Sequence, residues 1–305
     1  MSVIATPRTL TDQQAGIALG LVTVAIWGAY LAMNRYGTAS GLTMADLTLL
    51  RFGPAALILL PWLLRHDPAR LAGVGWRRGL VMTLVLGPGF MYLAVGGYYF
   101  APLAHGAVFQ PSGLIVSGLV LGALVLGESV RPIHILGMAV IISGLALVAG
   151  PTLFSGGTHA FIGDMLFFTA GSCWALFTVL AKKWATPPIA AAAIIAVLSS
   201  AVFVPYYLAT QSFDRLAALP LPNLLSQLAV QGVLAAVVAT VTFTRAAQLI
   251  GAGRVSAFPA LVPGLAILIG VPITGEWPGP VQVLGIAVVV LGLLISIGAF
   301  HRPRR

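Results

Sequence analysis

The sequence predicts an all-α membrane protein with ten transmembrane helices, arranged as two inverted repeats of five helices each. Three observations lead to this prediction: an apolar composition, ten apolar runs of spanning length, and an internal repeat. Hydrophobic residues make up 59% of the 305 residues and charged residues only 8%, with a mean hydropathy of +1.02. A water-soluble domain cannot have this composition, because its surface needs more polar groups. The chain is therefore predicted to lie within a lipid bilayer.

The apolar runs account for nearly the whole chain. Each is bounded by charged residues, Pro or Gly, and each approaches the roughly 20 residues that one crossing requires. The stretch 77–126 is too long for a single helix, so a tight turn is expected at Gly96, Gly97 and Pro102. The ten predicted helices cover residues 14–33, 45–64, 77–99, 103–126, 132–150, 161–181, 189–208, 223–246, 252–273 and 280–300.

Positive charge predicts the orientation of these helices. The net charge of +9 comes from Lys and Arg residues scattered at the ends of apolar runs, so it does not indicate nucleic-acid binding. With the N-terminus inside, nearly all of the 16 basic residues lie at inner ends, whereas Arg35 and Arg215 lie at outer ends and Arg51 lies within the second run. The positive-inside rule then places both termini in the cytoplasm of a bacterial inner membrane.

An internal repeat relates the two parts of the chain. Residues 111–150 align without gaps on 259–298 at a shift of 148, with twelve identities in forty positions. The Gly-Glu pair that ends at Glu128 coincides with the pair that ends at Glu276. A shift of 147 aligns the first run with the sixth: Gly16 with Gly163, Trp27 with Trp174, and Tyr30 with Phe177. The repeat is therefore predicted to span five helices.

The repeat predicts two halves, residues 1–150 and residues 151–305. Because five is an odd number, the second half enters the membrane from the opposite face, so a pseudo-twofold axis lies in the membrane plane. Inverted repeats of this kind are typical of alternating-access transporters, which bind substrate near the midplane where the halves meet.

Several short motifs recur in a fixed order along the chain. They are Leu50-Arg51-Phe52, Gly106-Ala107 with Pro111, Leu126-Gly127-Glu128 with Gly137 and Gly144, Ala257 to Pro259, and Gly275-Glu276 with Gly285 and Gly292. In this order the chain resembles the EamA-type members of the drug/metabolite transporter superfamily. The resemblance implies a 5+5 helix arrangement and efflux of amino acids, nucleosides or organic cations, or transport of nucleotide-sugars and phosphorylated sugars. The aromatic-rich helices most resemble the aromatic amino acid exporters.

Eight residues are predicted to bind substrate. The matched aromatic residues of the first and sixth helices could line a shared cavity and stack on a ligand, or they could face lipid. His105 could bond or gate the substrate, or it could be an interfacial or helix-capping residue. Tyr98 and Tyr99 are expected in an interfacial aromatic belt. The eight are Trp27, Tyr30, Tyr92, His105, Gln110, Trp174, Phe177 and Ser256.

Five residues are predicted to have gating or structural roles: Arg51, Pro111, Glu128, Pro259 and Glu276. Arg51 could bind a substrate carboxylate, reach outward to the interface, or pair with Asp46, because an unpaired cation inside a membrane is costly. The two prolines could act as hinges or as simple packing kinks, since each leaves carbonyls free near mid-helix. The two matched glutamates could form alternating gate salt bridges or cap helices.

Glycine spacing predicts where helices approach closely. Gly118 and Gly122 form one small-xxx-small pair, and glycines also recur every seven residues on one helix face in both halves. These recurrences are Gly137 with Gly144 and Gly285 with Gly292. All six glycines are expected to contribute packing and no chemistry.

The predicted function is an alternating-access transporter that exports small metabolites, with amino acids first and nucleosides or cationic drugs as the alternative. All seven acidic residues fall at predicted helix ends or in loops, so a facilitator or exchanger with weak ion coupling is expected. The expected partners are a small-molecule substrate and the lipid bilayer, with the protein a monomer or weak dimer. No cofactor, metal or nucleic acid is expected.

Two other classes of protein are less consistent with the sequence. A membrane enzyme would need Ser112 or Ser117 to pair with His105 or His134, and no hydrolase motif supports this. A channel would need a filter-like motif or rings of like charge, which the sequence does not contain.

Overall fold

The computed structural model describes residues 11–154, 158–250 and 258–296, and the secondary structure of these residues is helical, without a β-strand. In chain order the α-helices are α1 (Asp12–Ala39), α2 (Met44–Arg65), α3 (Trp76–Leu86), α4 (Pro88–Gly96), α5 (Leu103–Leu126), α6 (Pro132–Phe154), α7 (Thr158–Lys183), α8 (Pro188–Thr210), α9 (Asp214–Ala217), α10 (Leu221–Gln227), α11 (Ala239–Ile250), α12 (Val262–Thr274) and α13 (Pro280–Ser296).

Ten apolar segments of the described chain correspond to the ten predicted crossings. Seven are long and apolar enough to span a membrane, judged by length and composition alone. The third of these, Trp76–Tyr99, combines α3 and α4, and Leu221–Ala246 combines α10, a π-helix over Leu228–Val238 and the start of α11. The other three crossings are shorter apolar helices: Pro132–Val148, Val262–Thr274 and Pro280–Ile295. The prediction of a ten-helix, multi-pass membrane protein is confirmed.

Local sequence signals explain where several helices begin and end. The side chains of Thr11 and Thr43 each accept a hydrogen bond from the backbone N–H three residues on, which forms a capping box at the start of α1 and of α2. Gly127 and Gly275 end α5 and α12 with φ of 69° and 72°, a left-handed conformation that glycine adopts without strain. These two glycines are equivalent in the repeat, so both halves end this helix in the same way.

The third crossing of each half is irregular. Gly87 separates α3 from α4, and Pro88 begins α4. The corresponding crossing of the second half contains the π-helix Leu228–Val238. The expected turn after the third crossing is confirmed, since a 3₁₀ turn at Gly97–Tyr99 precedes α5. Neither irregularity was predicted from the sequence. Both place side chains next to the central cavity described below.

The helices of the two halves pack against one another in matched pairs. Helix α1 packs against α12 and α11 of the second half, while α7 packs against α5 and α4 of the first half. Two further contacts join equivalent helices, α2 with α8 and α6 with α13. Each contact has a counterpart under exchange of the halves, as an inverted repeat requires.

Glycines bring α6 and α13 into close contact. A Cβ at Gly144 would lie 2.7 Å from the amide nitrogen of Val289, and one at Gly292 would lie 2.6 Å from that of Ile141. Val289 is the repeat equivalent of Ile141, so these two approaches are related by the pseudo-twofold axis. The prediction for Gly118 and Gly122 was wrong, because their nearest neighbours are a side-chain atom at 3.9 Å and the flexible Glu128 side chain. Close backbone packing requires that the glycine-bearing face of a helix meets another helix. The spacing of the glycines alone does not determine this.

Replacing Gly292 with alanine is expected to destabilise the protein by about 1–3 kcal/mol, because the new methyl group would force α13 away from α6. Gly118→Ala is the matched control. Among the described residues its methyl group would meet only the Ala175 side chain, at 3.9 Å, so stability should stay constant or rise by up to about 1 kcal/mol. Unfolding by sodium dodecyl sulfate in mixed micelles measures both variants. Equal losses would contradict close packing of α6 on α13.

Candidate functional site

A cavity lies between the two halves at mid-helix positions. The space between its atoms amounts to about 480 Å³, including the part that is open to solvent. A second cavity of about 290 Å³ adjoins it and shares Arg51 and Trp174 with it. The residues that line the larger cavity are Trp27, Tyr30, Leu31, Arg51, Phe90, Gln110, Pro111, Leu114, Gly171, Trp174, Ala235, Pro259 and Val262.

Aromatic rings form one wall of the larger cavity. The rings of Trp27 and Trp174 meet edge to face with centroids 5.4 Å apart. Phe90 lies 5.9 Å from Trp174, and Phe243 lies 5.0 Å from Trp27. The Trp174 Nε1 atom is buried and has no hydrogen-bond partner among the described residues. Because Trp27 and Trp174 are equivalent in the repeat, the cavity surrounds the pseudo-twofold axis.

Arg51 places a positive charge inside this apolar cavity. It lies two turns into α2 and is only 5% exposed. Its guanidinium carbon is 4.9 Å from the ring centre of Tyr30 and 5.6 Å from that of Phe90. Within the part of the chain that the structure describes, it has no carboxylate partner, and its Nε atom has no hydrogen bond. Of the three possibilities, reaching out to the interface and pairing with Asp46 are both contradicted.

Asp46 has other partners, which explains why Arg51 is left without one. Its carboxylate accepts hydrogen bonds from the Tyr207 hydroxyl at 2.6 Å and from Arg215 Nε at 2.7 Å. It also completes the capping box with Thr43 at the start of α2. The Asp46 carboxylate raises the pKa of Arg215 through this hydrogen bond and its charge. This cluster therefore joins α2 to α8 and α9 by charged contacts.

Helix α5 adds a polar group and a proline to the cavity. Gln110 faces it, and its Oε1 atom is buried without a partner in the described chain. Pro111 lies within α5, and Pro259 lies in the 3₁₀ turn Phe258–Leu261 on the opposite wall. Whether these prolines act as hinges stays a prediction. Ser256, the remaining predicted polar residue beside a proline, lies outside the described residues.

The cavity contains part of the predicted substrate-binding set. Trp27, Tyr30, Gln110 and Trp174 line it. Three other members do not: Tyr92 contacts Phe203, Phe177 packs behind Trp174, and His105 lies nearer the helix ends. Tyr98 is also buried, 2% exposed, because its ring packs edge-on against Phe167, so the expectation of an interfacial position for it was wrong.

Two ion pairs connect the halves, one at each end of the bundle. Arg35 pairs with Glu276, and Lys182 pairs with Glu128 at 2.6 Å. Arg35 and Lys182 are related by the same shift of 147 that aligns Trp27 with Trp174. The two pairs are therefore equivalent under the repeat. The alignment of Arg35 with Lys182 was present in the sequence. Its meaning becomes evident only when each is seen paired with a glutamate.

Glu276 and Arg35 form additional hydrogen bonds beyond their ion pair. Glu276 also accepts a hydrogen bond at 3.0 Å from the backbone N–H of Leu103, the first residue of α5. The predicted capping role is thus real, although the capped helix belongs to the other half. Arg35 also donates to the Tyr98 carbonyl at 2.8 Å. Side chains of the Lys182–Glu128 pair are about half exposed, at 52% and 51%.

We call the end of the bundle with Glu276 the Glu276 face and the opposite end the Glu128 face. Further buried or partly buried polar contacts join the halves toward the Glu276 face. They are Tyr207 and Arg215 with Asp46, Gln231 with Asn34, Asn223 with Tyr36, Gln227 with the Met33 carbonyl, and Asp164 and Gln282 with His105. The described residues are therefore held together most extensively at the Glu276 face, and on the basis of these contacts we refer to this face as closed.

The residues considered for an enzyme do not form a catalytic pair. Ser117 shares a hydrogen bond with Ser172 at 2.7 Å, His134 binds the backbone N–H of Arg131, and His105 binds Asp164. Ser112 Oγ is buried without a partner in the described ranges. Those same ranges contain no group of three or more His, Cys, Asp or Glu that could hold a metal ion.

A cavity between two inverted five-helix repeats, with matched ion pairs at the two ends of the bundle, is the architecture of a membrane transporter. The EamA-like transporter family matches residues 14–150 and again residues 161–298. The chain therefore belongs to this family, within the drug/metabolite transporter superfamily, and is a small-molecule transporter.

One relative and one solved structure are similar to this chain over most of its length. The chain is 25% identical over 267 residues to the uncharacterized transporter YyaM of Bacillus subtilis (strain 168), an alignment covering 83% of this chain and 84% of that protein. A solved crystal structure of another protein, 17% identical, superposes with a TM-score of 0.63 over 95% of this chain and 98% of the other. The second comparison supports the fold.

Proposed function

We propose that this transporter exports small metabolites across the bacterial inner membrane by alternating access, and that amino acids are its principal substrates. The observation that carries the proposal is Arg51, a buried guanidinium without a carboxylate partner in the described chain, on the wall of the central cavity. A buried cation of this kind is stabilised by an anionic group, and a substrate carboxylate supplies one.

The other polar atoms in the cavity fit the rest of an amino acid. Among the described residues, Trp174 Nε1 is a donor without a partner, and Gln110 Oε1 is an acceptor without one. A substrate carboxylate can accept from Arg51 and Trp174, while its ammonium group can donate to Gln110. The surrounding Trp27 and Phe90 rings suit an apolar or aromatic side chain. The cavity therefore provides a matching partner for each group of a zwitterionic amino acid.

The alternative substrates fit this cavity less well. A nucleoside can stack on the tryptophan rings but leaves Arg51 without an anion. A cationic drug can contact the aromatic faces, but the charge of Arg51 repels it. None of the described residues that line the cavity supplies a carboxylate to compensate. A membrane enzyme or a channel lacks a supporting arrangement of residues in the described chain.

The two ion pairs suggest how access alternates. In the proposed orientation both termini are cytoplasmic, so the Glu276 face is periplasmic and the Glu128 face is cytoplasmic. Export requires the Arg35–Glu276 contacts to break while the opposite pair holds. Both pairs are formed in this structure, so substrate entry from the cytoplasm requires the Lys182–Glu128 pair to break while the Glu276 face stays closed.

Exchange in proteoliposomes tests the proposal. Vesicles preloaded with unlabelled amino acids and containing the wild-type protein should take up radiolabelled amino acids saturably. Trp174→Ala should reduce this exchange at least about tenfold, equivalent to about 1.4 kcal/mol of substrate binding, because it removes both a ring face and the free indole N–H. Trp76→Ala, at a half-exposed position outside the cavity, is the control and should exchange normally.

The negative result is equally informative. Absence of exchange with every amino acid, in protein that remains folded, would overturn the substrate assignment. The same vesicles would then be loaded with nucleosides and with cationic drugs, and exchange of either class would identify the alternative. Normal exchange by Trp174→Ala would exclude the central cavity as the binding site.

A further inference from the structure

Three side chains from three helices meet inside the bundle toward the Glu276 face. His105 Nδ1 on α5 lies 2.7 Å from Asp164 Oδ1 on α7, and both side chains are 1% exposed. Gln282 on α13 approaches the other ring nitrogen, with its Nε2 3.3 Å from His105 Nε2. The expectation that every acidic residue lies at a helix end or in a loop was wrong for Asp164, which lies in the second turn of α7 because that helix starts at Thr158.

The hydrogen bonds define the charge of this group. Gln282 Oε1 accepts the N–H of Gly279 at 3.0 Å, so its amide N–H faces His105. The ring must then accept at Nε2 and donate from Nδ1 to Asp164, which describes a neutral histidine beside a carboxylate. Asp164 Oδ2 is buried and has no partner among the described residues. Without a further proton the group would carry one buried negative charge, with a free acceptor atom at Asp164 Oδ2.

The other titratable groups on the packed elements do not neutralise this charge. Arg35 of α1 and Glu276, which precedes α13, are paired with each other. Tyr98, at the end of the third crossing, is an uncharged phenol near neutral pH. His159 of α7 is exposed to the surroundings. Among the described residues, one proton on Asp164 would therefore remove a charge that burial makes costly.

We propose that His105 and Asp164 form a proton-binding site, and that the Glu276 face closes only when this site holds a proton. The proton comes from water and forms an O–H bond at Asp164 Oδ2, which makes the group neutral while His105 keeps its bonds to Asp164 and Gln282. When the face opens, water solvates Asp164. The O–H bond at Oδ2 then breaks, and the proton returns to water. The inference rests on the proposed alternating access and adds control by pH.

The site has no counterpart at the opposite face. The repeat equivalent of Asp164 is Ile17, and the equivalent of Gln282 is His134, which is bonded to the nearby Arg131 backbone. A proton at this site therefore acts on the Glu276 face, and the repeat does not duplicate its effect at the Glu128 face. Because the closed face binds one proton more than the open face, lower pH shifts the population toward closure.

Spin-label distances test this without any substrate. Labels are attached at Phe100→Cys and Trp277→Cys, which flank the contact between Leu103 and Glu276, in a Cys173→Ser background. In the wild-type background the short-distance population should dominate at about pH 5, and the ratio of short to long distances should fall by up to about tenfold per pH unit toward pH 8. Asp164→Asn, neutral at every pH, should keep the short distance with less than about twofold change.

Asp214→Asn is the matched control, because Asp214 is an exposed acid at the start of the short helix α9 on the same face. It should respond to pH as the wild type does. A wild-type ratio that does not change with pH would overturn the proposal, as would an Asp164→Asn variant that keeps the full wild-type response. The exchange assay in proteoliposomes is a separate measurement. If amino-acid exchange failed there, the pH dependence of the spin-label distances would still be interpretable.

Discussion

Replacing Arg51 with methionine is expected to abolish substrate exchange while leaving the folded protein at least as stable as the wild type. Arg51 is 5% exposed and has no carboxylate partner in the described residues. Its buried charge therefore destabilises the fold when no substrate is bound. Removing that charge should stabilise the fold by up to about 3 kcal/mol. Removing a buried partner of the substrate carboxylate should weaken binding by about 2–5 kcal/mol, a loss of about 30-fold to several thousand-fold.

Two measurements on the same preparation test this prediction. Counterflow in proteoliposomes gives the loss of exchange, and denaturant unfolding in micelles gives the change in stability. Arg65→Met is the matched control, since Arg65 is an exposed residue at the end of the same helix. Destabilisation by Arg51→Met together with normal exchange would make Arg51 a structural residue and would remove the main support for the proposed substrate.

The two glutamates of the repeated Gly-Glu motif should differ in their contribution, although they occupy equivalent positions. Glu276→Gln leaves Arg35 without its counter-charge at a partly buried site and weakens the cap on α5, so a loss of about 1–3 kcal/mol is expected. Glu128→Gln disrupts a half-exposed pair with Lys182, and such pairs contribute about 0–1 kcal/mol.

The difference should also appear in the distance between the spin labels at positions 100 and 277. Glu276→Gln should increase the long-distance population several-fold at a fixed pH, whereas Glu128→Gln should leave it unchanged or reduce it. Each variant serves as the control for the other, because the chemical change and the repeat position are the same. Equal effects on stability and on the distances would contradict the interpretation that the Glu276 face is the closed one.

The ten crossings could be predicted because each depends on a local property of the chain. Apolar runs of spanning length, with a glycine such as Gly127 at the end, define a helix without reference to its neighbours. The break at Gly87 and the π-helix at Leu228–Val238 were not predictable in this way. Both depend on how the third crossing of each half packs around the cavity, and the apolar pattern is continuous through them.

The candidate site was predictable where the repeat itself contained the information. Trp27 and Trp174 were identified because their alignment placed them at matched positions, and the structure brings their rings together. The pairing of His105 with Asp164 was not, because it joins residues 59 positions apart that have no repeat counterpart. Tyr98 was misplaced for a related reason, since a tyrosine near a helix end reads as interfacial until Phe167 is seen packing against it.

The contacts between α6 and α13 have a consequence for how such a chain could arise. Gly144 meets Val289 as Gly292 meets Ile141, so the two helices present one and the same surface to each other. A surface that is complementary to its own inverted copy needs to be encoded only once. A single five-helix half therefore already carries this helix contact for a second copy of itself inserted upside down. Fusing two such copies would make the pairing intramolecular and leave each free to diverge, as Asp164 and Ile17 have done.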